Sequence, residues 1–183
     1  ARNRMVASKG AVLSLLLDAY VKRDQVSLVS FRGAEAQVLV EPTSSVELAE
    51  RRLRELPVGG RTPLAAGLVE ASRVVRRALL KDPALRPLVI VVTDGRGNVD
   101  LAGRVSRGAA AEVTEIAGRL GGDGRVTWVV VDTEPASPAA RGHGATLAAA
   151  LGASRFEIEQ LRADDLVSVV RDMRLATVKK EGR

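Results

Sequence analysis

Residues 88–98 read LVIVVTDGRGN, an apolar run that stops at Asp94 and gives way to two glycines and two polar side chains. The uninterrupted apolar stretch Leu88 to Val92 predicts a strand covered on both faces, as strands of parallel sheets are. Residues 126–131, VTWVVV, read the same way. Between the two runs Ala109, Val113, Ile116 and Leu120 recur at helical spacing, and GGDG at 121–124 supplies residues that tolerate the turn ending a helix. Strand, helix and strand in that order predict a right-handed crossover. The expected fold is therefore α/β, a doubly wound, mostly parallel sheet flanked by helices. Ligands of such sheets bind at the carboxyl ends of the strands. Asp94 stands at one of those ends, where a carboxylate can be a turn former, a general base or a metal ligand.

The rest of the chain fits the same layering. Met5 to Tyr20 is apolar on nearly every side and predicts a helix buried on most of its circumference. QVSLVSF (25–31), the short loop RGAE and AQVLV (36–40) predict an antiparallel pair at a sheet edge. Ser44 and Glu47 have capping-box spacing ahead of a helix through Val46, Ala49, Leu53 and Leu56, which Pro57 to Gly60 ends. Thr62-Pro63 then opens a second helix, with proline at its first position and Leu64, Leu68, Ala71, Val75 and Leu79 on one face. Further on come a helix over Ala145 to Leu151, a short strand near Arg155 to Ile158 and a closing helix over Asp164 to Arg174.

Composition removes several function classes. At 183 residues, 46% apolar and 27% charged, the chain is sized for one globular domain, expected over 1–176 with 177–183 as a frayed tail. No apolar run reaches the roughly 20 residues of a membrane helix, so a cytoplasmic protein is expected. With no cysteine and one histidine, His143, any metal must be held by oxygen. The net charge of +6 invites a nucleic-acid partner, but the arginines are scattered among glutamates and aromatic residues make up only 2% of the chain. A solvated arginine-rich surface is the favoured reading. P-loop, dinucleotide-fingerprint and nucleophile-elbow motifs are missing, so no catalytic residue is assigned. His143, in the loop-like ARGHGAT, is expected at the surface.

Two places remain where chemistry can sit. GGRTPL (59–64) presents the Thr62 hydroxyl where a glycine turn meets a helix, and Thr93-Asp94-Gly95 presents a carboxylate at a strand end. Hydroxyl plus carboxylate is hard-oxygen chemistry suited to magnesium. The plainer alternatives are a helix N-cap for Thr62 and a turn-capping side chain for Asp94.

This pairing in a doubly wound fold resembles the von Willebrand factor A, or integrin I-like, family. Its metal-ion-dependent adhesion site combines an Asp-x-Ser-x-Ser motif after the first strand, a threonine from a later loop and an aspartate after a buried strand. The resemblance implies that Thr62 is the threonine, binding metal directly, and Asp94 the aspartate, acting mostly through water. One coordination position is then left for an acidic group of a partner.

SLLLDAYVKRDQVSLVSFRG (14–33), GGRTPLAAGL (59–68), RPLVIVVTDGRGN (86–98), VVVDTE (129–134) and LRADDL (161–166) are more specifically similar to the C-terminal A domain of magnesium chelatase D subunits and related cobaltochelatase subunits. That likeness implies a connector in a machine that inserts a metal into a tetrapyrrole. ATP would be bound only on other domains or subunits, and the partners would be an AAA+ subunit and the large porphyrin-binding subunit. Magnesium and cobalt chelatases remain alternatives, as does a general A-domain adhesion or scaffold module. Arg61, Arg96 and Arg32 are candidates for steering an acidic partner. Asp132, also at a strand end, is expected outside the metal site with a role in loop structure.

One departure is plain: Asp-x-Ser-x-Ser does not occur in these 183 residues. The chain is expected to start just after it and to lack the first, central strand of the sheet, leaving two flanking strands with unpaired edges. Weak magnesium binding by this chain alone is the corresponding expectation.

Overall fold

The computed structural model describes residues 2–56, 59–134 and 142–157. Ten elements follow in order: α1 (Arg2–Lys22), β1 (Val26–Arg32), β2 (Glu35–Thr43), α2 (Val46–Glu55), α3 (Leu64–Lys81), β3 (Leu88–Thr93), α4 (Ala109–Gly121), β4 (Thr127–Asp132), α5 (His143–Leu151) and β5 (Ser154–Glu157). The expected closing helix over Asp164 to Arg174, the LRADDL stretch and the 177–183 tail lie outside the described residues.

The strands form two sheets. β1 and β2 are an antiparallel pair, whereas β3, β4 and β5 are parallel in that spatial order. Arg32 pairs with Glu35 across Gly33-Ala34, and Gly33 has φ +76°. A left-handed first turn residue followed by an ordinary one is the type II′ arrangement, whose twist suits a hairpin. In the parallel sheet Thr93 lies beside Asp132, and Asp132 beside Glu157, so three polar side chains end the strands at one level.

Alternation along β4 divides the core. Trp128 and Val130 face a cluster with Leu64, Leu68, Val113, Ala117, Leu147 and Leu151 from α3, α4 and α5, while Val129 and Val131 face Leu15 of α1 and Phe156. A third cluster joins Leu16 of α1 to Val46, Ala49 and Leu53 of α2. Helix α3 belongs to both sheets: it contacts β1 and β2, and Phe31 packs onto the cluster that α3 shares with β3 and β4.

Three expectations need correcting. β3 is only half-buried at Leu88, Val89, Ile90 and Val92, unlike the buried β4, because among the described residues β4 has strands on both sides and β3 on one. Helix α1 is less enclosed than its sequence implies: Leu17, Tyr20 and Val21 are 60%, 58% and 79% exposed, since the sheet beneath it is in two parts. The Ser44/Glu47 capping box does not form. Ser45 is the N-cap of α2, without a side-chain cap bond, and its N–H donates instead to Thr43 Oγ1 at 3.1 Å.

Two glycines separate packing from propensity. A Cβ on Gly67 in α3 would lie 2.7 Å from the Phe31 ring, whereas one on Gly118 in α4 would meet nothing within 4 Å. Gly67→Ala should therefore cost about 1–3 kcal/mol by overpacking, and Gly118→Ala should add about 0.5–1 kcal/mol through helix propensity. Urea denaturation followed by Trp128 fluorescence would measure both. Equal shifts would show that α3 does not press on β1 as described.

Candidate functional site

The carboxyl end of β3 runs into a loop in which each side chain has a distinct task. Thr93, 6% exposed, accepts the Gly95 N–H on its Oγ1 at 3.1 Å, and its carbonyl accepts the Thr133 N–H at 2.9 Å, which ties the ends of β3 and β4. Asp94 accepts the Arg96 N–H on Oδ1 at 3.1 Å, a local turn bond. Gly95 has φ +73°, and any Cβ there would collide with the backbone of His143 and Gly144. Gly97 is equally constrained, with a Cβ reaching 2.6 Å from Val113 Cγ2. Both glycines of DGRGN are thus needed for close approach to neighbouring helices.

Asn98 closes the loop onto Thr62. The Thr62 N–H donates to Asn98 Oδ1 at 2.8 Å, and the Asn98 N–H donates to the Thr62 carbonyl at 3.2 Å. On its other side the GGRT turn is fastened to the β1–β2 hairpin. The Gly33 N–H donates to the Arg61 carbonyl at 3.1 Å and Arg32 Nε to the Gly59 carbonyl at 2.6 Å. Helix α3 begins one residue later than expected, with Pro63 rather than Thr62 as its N-cap. The capping alternative for Thr62 therefore fails, and its hydroxyl has no hydrogen-bond partner among the described residues.

Of the three arginines singled out, Arg32 is a clamp on Gly59. Arg96 places Nη2 3.3 Å from Glu134 Oε1 and Nε 3.8 Å from Asp94 Oδ2, so it lies between two carboxylates. Arg61 is exposed, with no side-chain partner among the described residues. No set of three or more histidine, cysteine, aspartate or glutamate side chains converges on a metal position among the described residues.

A second cluster, at the end of β4, was only partly legible. Asp132 is 2% exposed; its Oδ1 accepts the Glu134 N–H at 2.8 Å and its Oδ2 accepts Arg155 Nη1 at 2.7 Å. Arg155 also donates to Glu157 Oε1 at 2.7 Å. The hydrogen bond to Asp132 raises the Arg155 pKa against the opposing effect of burial, which leaves a fixed cation inside the cluster. Glu134 Oε2 accepts the Gly142 N–H at the start of α5 at 3.0 Å, and a Cβ on Gly144 would strike the Asp132 carboxylate. His143 is accordingly not a loop residue: it is the first residue of α5, half-buried against Gly95. Asp132 serves loop structure, as expected. Glu134, Arg155, Gly144 and Asn98 were not anticipated, although VVVDTE and DGRGN contain two of them.

An α/β layer carrying an oxygen-bearing loop cluster at its strand ends is the class these features define. A family model for the von Willebrand factor type A domain matches residues 1–96. A Mycobacterium tuberculosis protein described as uncharacterized is 47% identical over 93% of this chain and 26% of its own length. One from Methanocaldococcus jannaschii, described likewise, is 35% identical over 96% of this chain and 98% of its own. The magnesium-chelatase 67 kDa subunit of Chlorobaculum parvum is 42% identical over 91% of this chain and 28% of its own length. The chain thus spans about a quarter of the first and third relatives. The crystal structure of the SpRpn10 VWA domain superposes with a TM-score of 0.61 at 14% identity, covering 88% of this chain and 80% of that one, a likeness of fold alone. The chain belongs to the von Willebrand factor type A domain family. No helix among the described residues is long and apolar enough to cross a membrane.

The Asp132 cluster yields a stability prediction. Arg155→Met removes the cation from a buried carboxylate and should cost roughly 2–3 kcal/mol. Asp132→Asn should cost less, because the amide oxygen can still accept the Glu134 N–H. A change below about 0.5 kcal/mol in urea denaturation of Arg155→Met would show that Asp132 is satisfied without it.

Proposed function

We propose that this chain is the A domain of a magnesium-chelatase subunit, and that the Thr62–Asp94 edge is its magnesium-dependent docking site for an acidic group on a partner. The observation that carries this reading is the state of Thr62. Its main chain is held on both sides by Asn98, four residues beyond Asp94, while its hydroxyl has no partner among the described residues. A hydroxyl fixed in place and otherwise unused is suited to a ligand outside the fold.

The residues fit a resident magnesium ion as part of its shell. Thr62 Oγ1 and Asp94 Oδ2 are oxygen donors, and the Asp94 side chain is 40% exposed. Two donors fall short of the six that magnesium requires, so water and further oxygen ligands outside the described residues would complete the set. When bound, the ion would offer an open coordination position to a partner carboxylate. Thr62 and Asp94 then act by holding oxygen atoms in place, and neither transfers a proton or forms a bond to substrate. Arg61, exposed beside Thr62, adds attraction for the same acidic group.

The likeness to the Chlorobaculum parvum subunit supports a place in a chelatase, which on this reading works in the cytoplasm. The partners would be an AAA+ subunit, which binds ATP, and the large subunit that binds the porphyrin. The metal inserted there is substrate, separate from the resident ion. Of the three sequence relatives above, the one named by function is a magnesium-chelatase subunit, which favours magnesium over cobalt.

Capture of the large and AAA+ subunits by the full-length protein tests this. Asp94→Ala and Thr62→Ala should each weaken magnesium-dependent capture at least tenfold, as should chelation of magnesium. Capture that ignores both the metal and the substitutions would refute the docking role.

A further inference from the structure

We propose that Asn98 is a positioning residue of this site, one that sets where the Thr62 hydroxyl stands relative to Asp94. The inference rests on the metal-site reading above and extends it to a residue that supplies no ligand atom itself.

Asn98 grips both polar groups of the Thr62 main chain, the N–H through its side-chain oxygen at 2.8 Å and the carbonyl through its own N–H at 3.2 Å. Pro63 follows, with φ fixed by its ring, at −79°. With N–H, carbonyl and next residue constrained, χ1 is the freedom left to Thr62, and a β-branched side chain is stiff there. Fixing this backbone therefore narrows the hydroxyl to the few positions that the preferred χ1 rotamers allow.

The loop bearing Asn98 is itself pressed into place. A Cβ on Gly97 would lie 2.6 Å from Val113 Cγ2 and 3.5 Å from Leu64 Cβ, so the absence of a side chain lets the loop rest on α4 and the first turn of α3. Leu64 is two residues from Thr62 and 0% exposed, which makes that surface firm. Asn98 thus couples two loops that each contribute one oxygen, in the way that outer-shell partners orient metal ligands.

Magnesium affinity of the nucleotide-free full-length protein, with manganese as a paramagnetic probe of the same position, separates the possibilities. Asn98→Ala should weaken binding about tenfold or more, speed amide exchange over residues 61–64 and lower the melting temperature by no more than about 2–4 °C, the loss of one such hydrogen bond. Asn98→Asp keeps the acceptor for the Thr62 N–H and should bind at least as tightly as wild type. Wild-type affinity in Asn98→Ala, with binding lost in Thr62→Ala and Asp94→Ala, would overturn the positioning role and leave the site standing. Weakened binding with a melting temperature lowered well beyond that and no rescue by Asn98→Asp would also overturn it, since Asn98 would then serve the fold. Wild-type affinity in both Thr62→Ala and Asp94→Ala would remove the metal site, and this proposal with it.

Discussion

One peptide, that of Thr62, links the upper edges of two sheets that share no strand pairing among the described residues. Arg32 and Gly33 tie its turn to β1 and β2, and Asn98 ties it to the end of β3. These hydrogen bonds are modest, at about 0.5–1.5 kcal/mol each. Helix α3 does more to hold the halves together, because Leu64 and Leu68, at 0% and 1% exposure, each gain about 1.5–3 kcal/mol from burial. The division of labour follows from those magnitudes: apolar burial fixes where the sheets lie, and the polar bonds fix how the loops above them are registered.

The same edge shows why Asp94, and not Asp132, keeps an exposed carboxylate. Parallel pairing brings Asp132 to the level of Thr93, but Asp132 lies in the centre of the sheet with β5 and α5 against it. A buried charge persists only when it is paired and hydrogen-bonded. Arg155 and the Glu134 N–H meet that need and engage both oxygens, while Glu134 is engaged by Arg96 and the Gly142 N–H. Asp94, at the end of a strand with one neighbour among the described residues, keeps an oxygen whose nearest cation among them is 3.8 Å away. Edge and centre thus give two strand-end aspartates opposite fates.

Much of this was legible in the sequence where one local rule governs. Apolar runs announced β3 and β4, helical spacing announced α3 and α4, and Gly152, with φ +61°, ended α5 where expected. What escaped detection depended on partners distant in the chain. Thr62 looked like an N-cap because threonine before proline commonly is one, yet its N–H is taken by a side chain 36 residues away. His143 looked exposed because ARGHGAT is polar and glycine-rich, whereas Gly95 lets α5 begin directly against the β3 loop. The exposure of Leu17, Tyr20 and Val21 was likewise hidden, because it depends on how α1 meets the two sheets.

Charge placement bears on the kind of partner the surface suits. The excess of six positive charges is not pooled: Arg54 pairs with Glu50, Arg52 with Glu55, Arg73 with Glu70, and Arg77 lies near Glu41 and Glu70. Such exposed pairs contribute at most about 1 kcal/mol each to stability, but they leave carboxylates interleaved with the cations along α2 and α3. A polyanion gains affinity by releasing its own condensed counterions as a continuous basic track neutralises its phosphates, and interleaved carboxylates weaken such a track. A single acidic side chain needs no track. It needs one well-placed positive centre, and Arg61 beside an uncommitted hydroxyl suits that narrower form of recognition better than the arginine-rich helices do.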